Sequence, residues 1–223
     1  MISRSALAAA SAAAVDAGGR IADLRRDAWG HGVLAVAHAV VAAGAAAVRV
    51  DHAEEVETLR LEGIEAVIDA EPDIDAALLY GLPGADGTLR TRPVMRFAGR
   101  VLSSKPLKAG DAVSYGYTHR ATHDTVAALV TGGYAQGIVR ALGNQAHVEI
   151  DGVQRPIVGR VAMDVCVIDL QGAAHIAPGA EATYFGGSGP AGAGLARWSA
   201  VTGLTVGELI TVAGAHAERG WEA

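Results

Sequence analysis

Ala146-His147-Val148-Glu149-Ile150-Asp151-Gly152-Val153 decides the class of the second half of the chain. Apolar and polar residues alternate up to Ile150. Asp151-Gly152 then supplies two positions that tolerate the positive φ angles of a type I′ turn, so the stretch predicts a β-hairpin. Working outward, short apolar runs at 95–102, 125–131, 157–161 and 165–170 read as further strands. Turn signals at Lys108-Ala109-Gly110-Asp111, Gly143-Asn144 and Pro178-Gly179 separate them. A last helix, Thr205 to Ala215, follows Gly203. This half is a small β domain.

The first half has a different period. Val33 to Ala43 is a dense apolar helix after Trp29-Gly30-His31-Gly32, and Ala45 to Val50 is a short buried strand, giving a βαβ-like unit. Glycines ahead of a helix also present backbone amides to which an anion can bind. Asp51, Glu54 and Glu55 form an acidic helix start of the capping-box type. Val56, Leu59 and Leu61 carry that helix to Gly63, and Ile64 to Ile68 follows as a strand. Met1 to Val15 reads as an alanine-rich helix stopped at Gly18-Gly19. Arg4 ahead of the alanines also allows a secretory signal there. Residues 70–92, broken by Pro72, Gly81, Pro83, Gly84 and Gly87, form a connection of low regularity. The expected domains are therefore 1–90 and 91–223.

Composition sets the limits around this reading. The 223 residues are 51% apolar but only 4% aromatic, so the cores rest on small aliphatic side chains and close backbone approach. Eighteen basic against 24 acidic residues give a net charge of −6, which argues against a nucleic-acid partner. No run approaches the roughly 18 apolar residues of a membrane span. The single cysteine, Cys166, excludes an intrachain disulfide framework and suits a reducing cytoplasm.

Two motifs are set aside. Gly187-Ser188-Gly189-Pro190-Ala191-Gly192 matches G-x-G-x-x-G, but it lies in the β half, Pro190 removes an amide, and no βαβ unit follows. A loop is expected. His119 and His123 have the spacing of a helical metal pair, yet the residues around them read as turn, so no metal site is expected. Tyr115, between Ser114 and Gly116, is a candidate proton carrier, with a hydrogen-bonded core tyrosine as the plainer alternative.

In order and approximate spacing, five further clusters resemble the alanine racemase family. They are Leu79-Tyr80-Gly81-Leu82, Arg92-Pro93-Val94-Met95, the run from Gly110 to Gly116, Gly133-Tyr134-Ala135-Gln136-Gly137 with Arg140, and the run from Pro156 to Asp164. Members of that family are pyridoxal-phosphate enzymes with an N-terminal (β/α)8 barrel and a C-terminal β domain. Residues of roughly 18–65 are similar to the barrel's start, and 76–221 to its end plus the β domain. The resemblance implies an α/β plus β fold, with a partial (β/α) barrel-like fragment followed by a racemase-type β domain. It implies that Tyr115 is the catalytic tyrosine, serving the partner's active site across a dimer. It places the Met163 amide against the substrate carboxylate with Asp164 beside it, and Tyr134 and Arg140 in the corridor leading to the site.

The departures from the family pattern fall on the cofactor. Arg25 stands where the family has its Schiff-base lysine, and a guanidinium that stays protonated offers no amine to an aldehyde. The only lysines are Lys105 and Lys108, in the β half. Trp29 and Gly207 replace two phosphate-binding tyrosines, and Gln136 replaces the aspartate of its loop. About 90 residues precede the β domain, against the roughly 200 or more of a full barrel. The expectation is a degenerate racemase relative, holding no cofactor, that acts as an interaction or regulatory partner in D-alanine metabolism. It would form a homo- or heterodimer through the β domain, with a full-length racemase as a candidate partner. The alternatives are an active amino-acid racemase whose pyridoxal phosphate is held noncovalently or whose pocket is completed by a partner, and a gene remnant without a selected role.

Overall fold

In the computed structural model, which describes residues 1–114, 116–172 and 176–223, Ser3 closes the short strand β1 (Ile2–Ser3) and caps α1 (Arg4–Asp16). Its Oγ accepts the Ala6 amide at 3.3 Å, one of the orphan donors of a helix start. Ala6, Ala10 and Ala14 recur every four residues on the buried face of α1. The alanine-rich stretch is thus a packed helix, and its small side chains explain how a chain poor in aromatics fills this core.

By its own contacts the chain divides into Met1–Met95 with Ile210–Ala223, and Arg96–Leu209. The first unit continues with β2 (Ile21–Asp23), a single turn α2 (Arg25–Trp29), α3 (Val33–Ala42), β3 (Ala47–Arg49), α4 (Ala53–Leu61), β4 (Ala66–Val67) and α5 (Ala76–Tyr80). The two connections that join β2, β3 and β4 both carry helices, and the strands pair in parallel in that order. Glu55 completes the start of α4 by accepting the Asp51 and His52 amides at 3.1 and 3.0 Å.

Residues 70–92 are more ordered than expected. The Asp73 carboxylate accepts the amides of Arg20 and Ile21 at 2.6 and 2.7 Å, and the Asp73 and Ile74 amides both donate to the Ile21 carbonyl. The free edge of β2 is thereby covered. Asp75 caps α5, and Gly81 ends it at φ 63°, where an added Cβ would lie 2.1 Å from the Arg92 carbonyl oxygen. A five-residue helix is too short to leave a period in the sequence, which is why it reads there as loop.

The second unit is built on a six-stranded antiparallel sheet, ordered β10 (Val153–Pro156), β9 (His147–Ile150), β12 (Glu181–Phe185), β5 (Phe97–Leu107), β8 (Thr125–Thr131), β11 (Val165–Asp169). A small hairpin pairs β6 (Ala112–Val113) with β7 (His119–Arg120). Asp151 and Gly152 take φ 51° and 74°, the turn that their pairing predicts. No strand forms over 157–161. Ile157 makes one bridge to Ile168, and the backbone then turns at Gly159, φ 75°, where a Cβ would fall 2.3 Å from that of Ser114.

The glycine-rich segment at 187–192 is a loop, and it leads into a helix the sequence reading had not placed, α6 (Gly194–Thr202). Glu149 sends its own carboxylate against this loop, accepting the Ala191 amide at 2.9 Å, and a Cβ at Gly189 would strike it at 2.3 Å. The loop is filled by an internal anion. Trp198 of α6 is buried edge-on against Phe185, with ring centroids 5.3 Å apart. His119 and His123 lie in β7 and in a bend, not on a helix.

The chain leaves through α7 (Val206–His216) and ends in β13 (Trp221–Glu222), which pairs in parallel with β1. That pairing ties the end of the chain to the first unit by its contacts. Among the described residues no single helix is long and apolar enough to cross a membrane, and no group of His, Cys, Asp and Glu is arranged to hold a metal.

Candidate functional site

The C-terminal end of β2 delivers Asp23, Leu24 and Arg25 in succession. Asp23 closes β2 and Arg25 opens α2, and the bend at Leu24, φ −114° and ψ 18°, brings the Arg25 side chain back to Asp23. Arg25 donates from Nε to Oδ1 and from a terminal nitrogen to Oδ2 of Asp23, each at 2.8 Å, and its backbone amide adds a third bond at 3.2 Å. This is a two-pronged pairing of guanidinium with carboxylate, the strongest geometry open to the pair. Burial pushes the Asp23 carboxyl upward, but the hydrogen bonds and charge of Arg25 outweigh it and hold it below the ordinary aspartate value. The Asp23 side chain is 9% exposed and that of Arg25 41%.

Past Arg25 the backbone takes a turn of the wrong hand. Arg26, Asp27, Ala28 and Trp29 all have φ between 53° and 56°, a left-handed run that L-residues adopt only against a steric penalty. It is fixed from several sides. The Ala28 amide donates to the Leu24 carbonyl at 2.8 Å, the Arg26 amide to the Asp51 carboxylate at 2.5 Å, and Asp27 accepts the Val33 amide at 2.7 Å. At the end of the turn, Gly30 meets Gly214 of α7 so closely that a Cβ on Gly30 would lie 2.5 Å from the Gly214 Cα.

Three rings stack behind the turn. Tyr80 lies between His31, 4.5 Å away, and Trp29, 5.2 Å away, and its hydroxyl donates to the Asp23 carbonyl at 2.7 Å. His31 is wholly buried. Burial lowers its pKa to about 4, so the ring is neutral at physiological pH, with Nδ1 on the Ala28 carbonyl at 2.9 Å and Nε2 without a partner among the described residues. Trp29 brings a ring to the stack and no hydroxyl, and its indole N–H helps to hold the Asp23 carboxyl low.

The second unit gathers another group. Gln136 accepts the Gly133 N–H at 2.9 Å through Oε1 and donates from Nε2 to Asp164 Oδ1 at 3.2 Å. Tyr134 and Ala135 donate their amides to the carbonyls of Ala162 and Met163, at 2.9 and 3.0 Å. Gln136 thus ties its loop to the Met163-Asp164 segment, with an amide bridging where the family pattern has a carboxylate. Arg140 stacks over Tyr134 at 5.5 Å, and Met163 is 55% exposed. Of the residues singled out from the sequence, Tyr134, Arg140, Met163 and Asp164 are brought together here, and Arg25 and Trp29 lie together in the first unit. Gly207 sits in the first turn of α7 and offers no side chain. Tyr115 lies outside the described residues; its neighbour Ser114 holds φ 65° and donates to the Arg160 carbonyl at 2.6 Å.

The family model of the alanine racemase C-terminal domain matches residues 94–221. The chain belongs to the alanine racemase family. By sequence it is 46% identical over 101 residues to the alanine racemase of Mycolicibacterium vanbaalenii, and 44% over 115 residues to that of Corynebacterium efficiens. Those segments are 45% and 50% of this chain but only 26% and 31% of the two racemases, so the chain matches about a quarter to a third of their length. By structure it resembles the alanine racemase from Streptomyces coelicolor A3(2), with TM-score 0.80 and 21% identity over 99% of this chain and 96% of that one. It likewise resembles the alanine racemase from E. faecalis, with TM-score 0.82 and 17% identity over 99% and 97%. These likenesses speak for the fold.

The family's cofactor is pyridoxal phosphate. At the position that the resemblance assigns to its lysine, this chain presents a guanidinium already clamped by Asp23. Lys105 and Lys108 are both in the second unit, and Lys108 is paired with Asp124 at 2.8 Å. The residues at this position do not fit covalent capture of the aldehyde. The sequence singles out Arg25 and carries Tyr80 and His31 within motifs without showing that they stack, and it passes over Asp23. An acid two residues before an arginine at a strand end was the available signal for Asp23. Nothing local could announce the ring stack, whose members are 49 residues apart.

Proposed function

We propose that this chain is an alanine racemase relative whose aldehyde-capturing position has been converted into a structural ion pair, and which acts through its β domain as a partner rather than as a racemase on its own. The observation that carries the reading is the Asp23–Arg25 fork. An arginine there lacks a nucleophilic amine, and its fixed pairing leaves it holding the end of β2 instead of reaching outward.

The β domain supports the other half of the proposal. The Gln136–Asp164 bridge keeps the Gly133–Gly137 loop tied to Met163, so the parts that the resemblance assigns to the substrate side are held in place. Tyr115 would be lent in trans to a full-length alanine racemase within a heterodimer, in the cytoplasm. The first unit is read as a fragment of a (β/α) barrel, supported by its three parallel strands linked through helices.

The test is co-expression with a full-length alanine racemase, tagged on one chain only. A co-purified heterodimer, together with no conversion of L-alanine by this chain alone, supports the reading. Recovery of self-associated chain only, or turnover by this chain alone in the presence of pyridoxal phosphate, overturns it.

A further inference from the structure

A cleft of about 630 Å³ opens in the first unit, away from the Asp23–Arg25 pair, between α1, the first turn of α3 and the C-terminal strand. That volume lies in the range of small-molecule sites. Leu7, Val33, Leu34, Ala39 and Trp221 give it apolar walls, and Arg4 and Arg219 bring two guanidinium groups to it.

The two arginines are held differently. Arg219 donates from Nε to the Gly30 carbonyl at 3.3 Å and pairs with the Asp27 carboxylate, so its position is fixed and its charge is partly answered. Arg4 stacks 4.7 Å over the Trp221 ring and has no carboxylate partner among the described residues. It also sits in the first turn of α1, where the helix end is itself positive, and that turn contains no acidic residue. The first turn of α3 lacks an acidic residue as well. His38 on the same wall faces Glu62 at 3.4 Å, and Asp27 is the one carboxylate lining the cleft. Two guanidinium groups thus meet one lining acid beside an aromatic wall; Asp27 also caps α3 through the Val33 amide, and the Ala223 oxygen accepts the Ser3 and Ser5 hydroxyls at the start of α1.

We propose that this cleft binds a small organic anion with an apolar body, an aryl or alkyl phosphate, sulfonate or carboxylate. Arg4 and Arg219 take the charged group and Trp221 with Leu7 and Leu34 takes the body. Arg4 has a ring beside it but no carboxylate among the described residues, and an incoming anion supplies the charge-assisted hydrogen bonds its guanidinium can make. The cation–π contact keeps the guanidinium oriented and weakly hydrated until then.

The probe is 1-naphthyl phosphate, titrated into the full chain while the three tryptophan indole N–H resonances are followed by NMR. The Trp221 resonance is expected to move and saturate, with 1-naphthol and inorganic phosphate each binding at least tenfold more weakly. Arg4→Gln is expected to weaken the phosphate ester tenfold or more, Arg4→Lys less. Ala8→Trp, at an exposed position on the cleft's rim, is expected to block binding while circular dichroism stays unchanged. Equal affinity in Arg4→Gln, equal affinity for 1-naphthol, a shift confined to Trp29 or Trp198, or no saturable binding overturns the proposal. None of these outcomes bears on the Asp23–Arg25 reading.

Discussion

Arg25 grips the carboxylate of Asp23 through two 2.8 Å hydrogen bonds across a single intervening residue, at the point where β2 gives way to a left-handed turn. The pair does two things at once. It satisfies a carboxylate that the fold has buried, and it occupies the position that the family resemblance assigns to an aldehyde-binding amine.

Arg25→Lys restores an amine at that position, but not a free one. Asp23 would stabilise the ammonium form and slow its attack on an aldehyde. Borohydride reduction after incubation with pyridoxal phosphate is expected to label residue 25 weakly near pH 7 and more strongly toward pH 9. The double variant Asp23→Asn/Arg25→Lys is expected to label several-fold faster at neutral pH, as read by peptide mass spectrometry. Equal rates in the single and double variants would contradict the coupling.

Asp23→Asn removes the fork. Hydrogen bonds to charged groups contribute about 1.5–3 kcal/mol, discounted to about 1–2 kcal/mol here because Arg25 is two-fifths exposed. The folded carboxyl titrates below its unfolded value, so its contribution is complete above roughly pH 4 and fades as pH falls through the folded value. Urea midpoints of the two proteins should therefore differ at pH 7, and the difference should shrink as pH is lowered below about 4.

His31 gives a second, separable pH dependence. Its folded pKa of about 4 lies below the usual 6.5, so the unfolded chain binds the proton first and stability falls as pH drops from about 6.5 toward 4. The slope approaches about 1.4 kcal/mol per pH unit within that window. His31→Phe keeps a ring against Tyr80 and should flatten the profile between pH 6.5 and 5. An unchanged slope would show that another group titrates there.

The left-handed turn predicts substitutions of opposite sign. Arg26 is exposed at φ 54°, so Arg26→Gly relieves a non-glycine penalty while losing no packing, and is expected to stabilise by about 0.5–1 kcal/mol. Gly30→Ala drives a methyl group into Gly214 and should lower stability by about 2 kcal/mol or more. Thermal midpoints of both variants give the check.

Local chemistry explains what the sequence disclosed. Asp151-Gly152, the capping at Glu55 and the apolar run of α3 each specify their element within a few residues, and each formed. The helices α5 and α6 escaped because one is a single capped turn and the other depends on Trp198 meeting Phe185 across the unit. The strand expected at 157–161 failed because the close approach of Gly159 to Ser114 is set 45 residues away. At the site, residue identity exposed the missing lysine. The use to which Arg25 is put became visible only once Asp23 was seen turned toward it.

The central claim is that this chain has no amine where the aldehyde must be captured. The most direct measurement is incubation of the intact chain with pyridoxal phosphate, borohydride reduction and peptide mapping, run beside an assay for conversion of L-alanine to D-alanine. The account predicts no stoichiometric pyridoxyl adduct and no conversion. A reduced imine at full occupancy on Lys105 or Lys108, accompanied by racemisation, would contradict it.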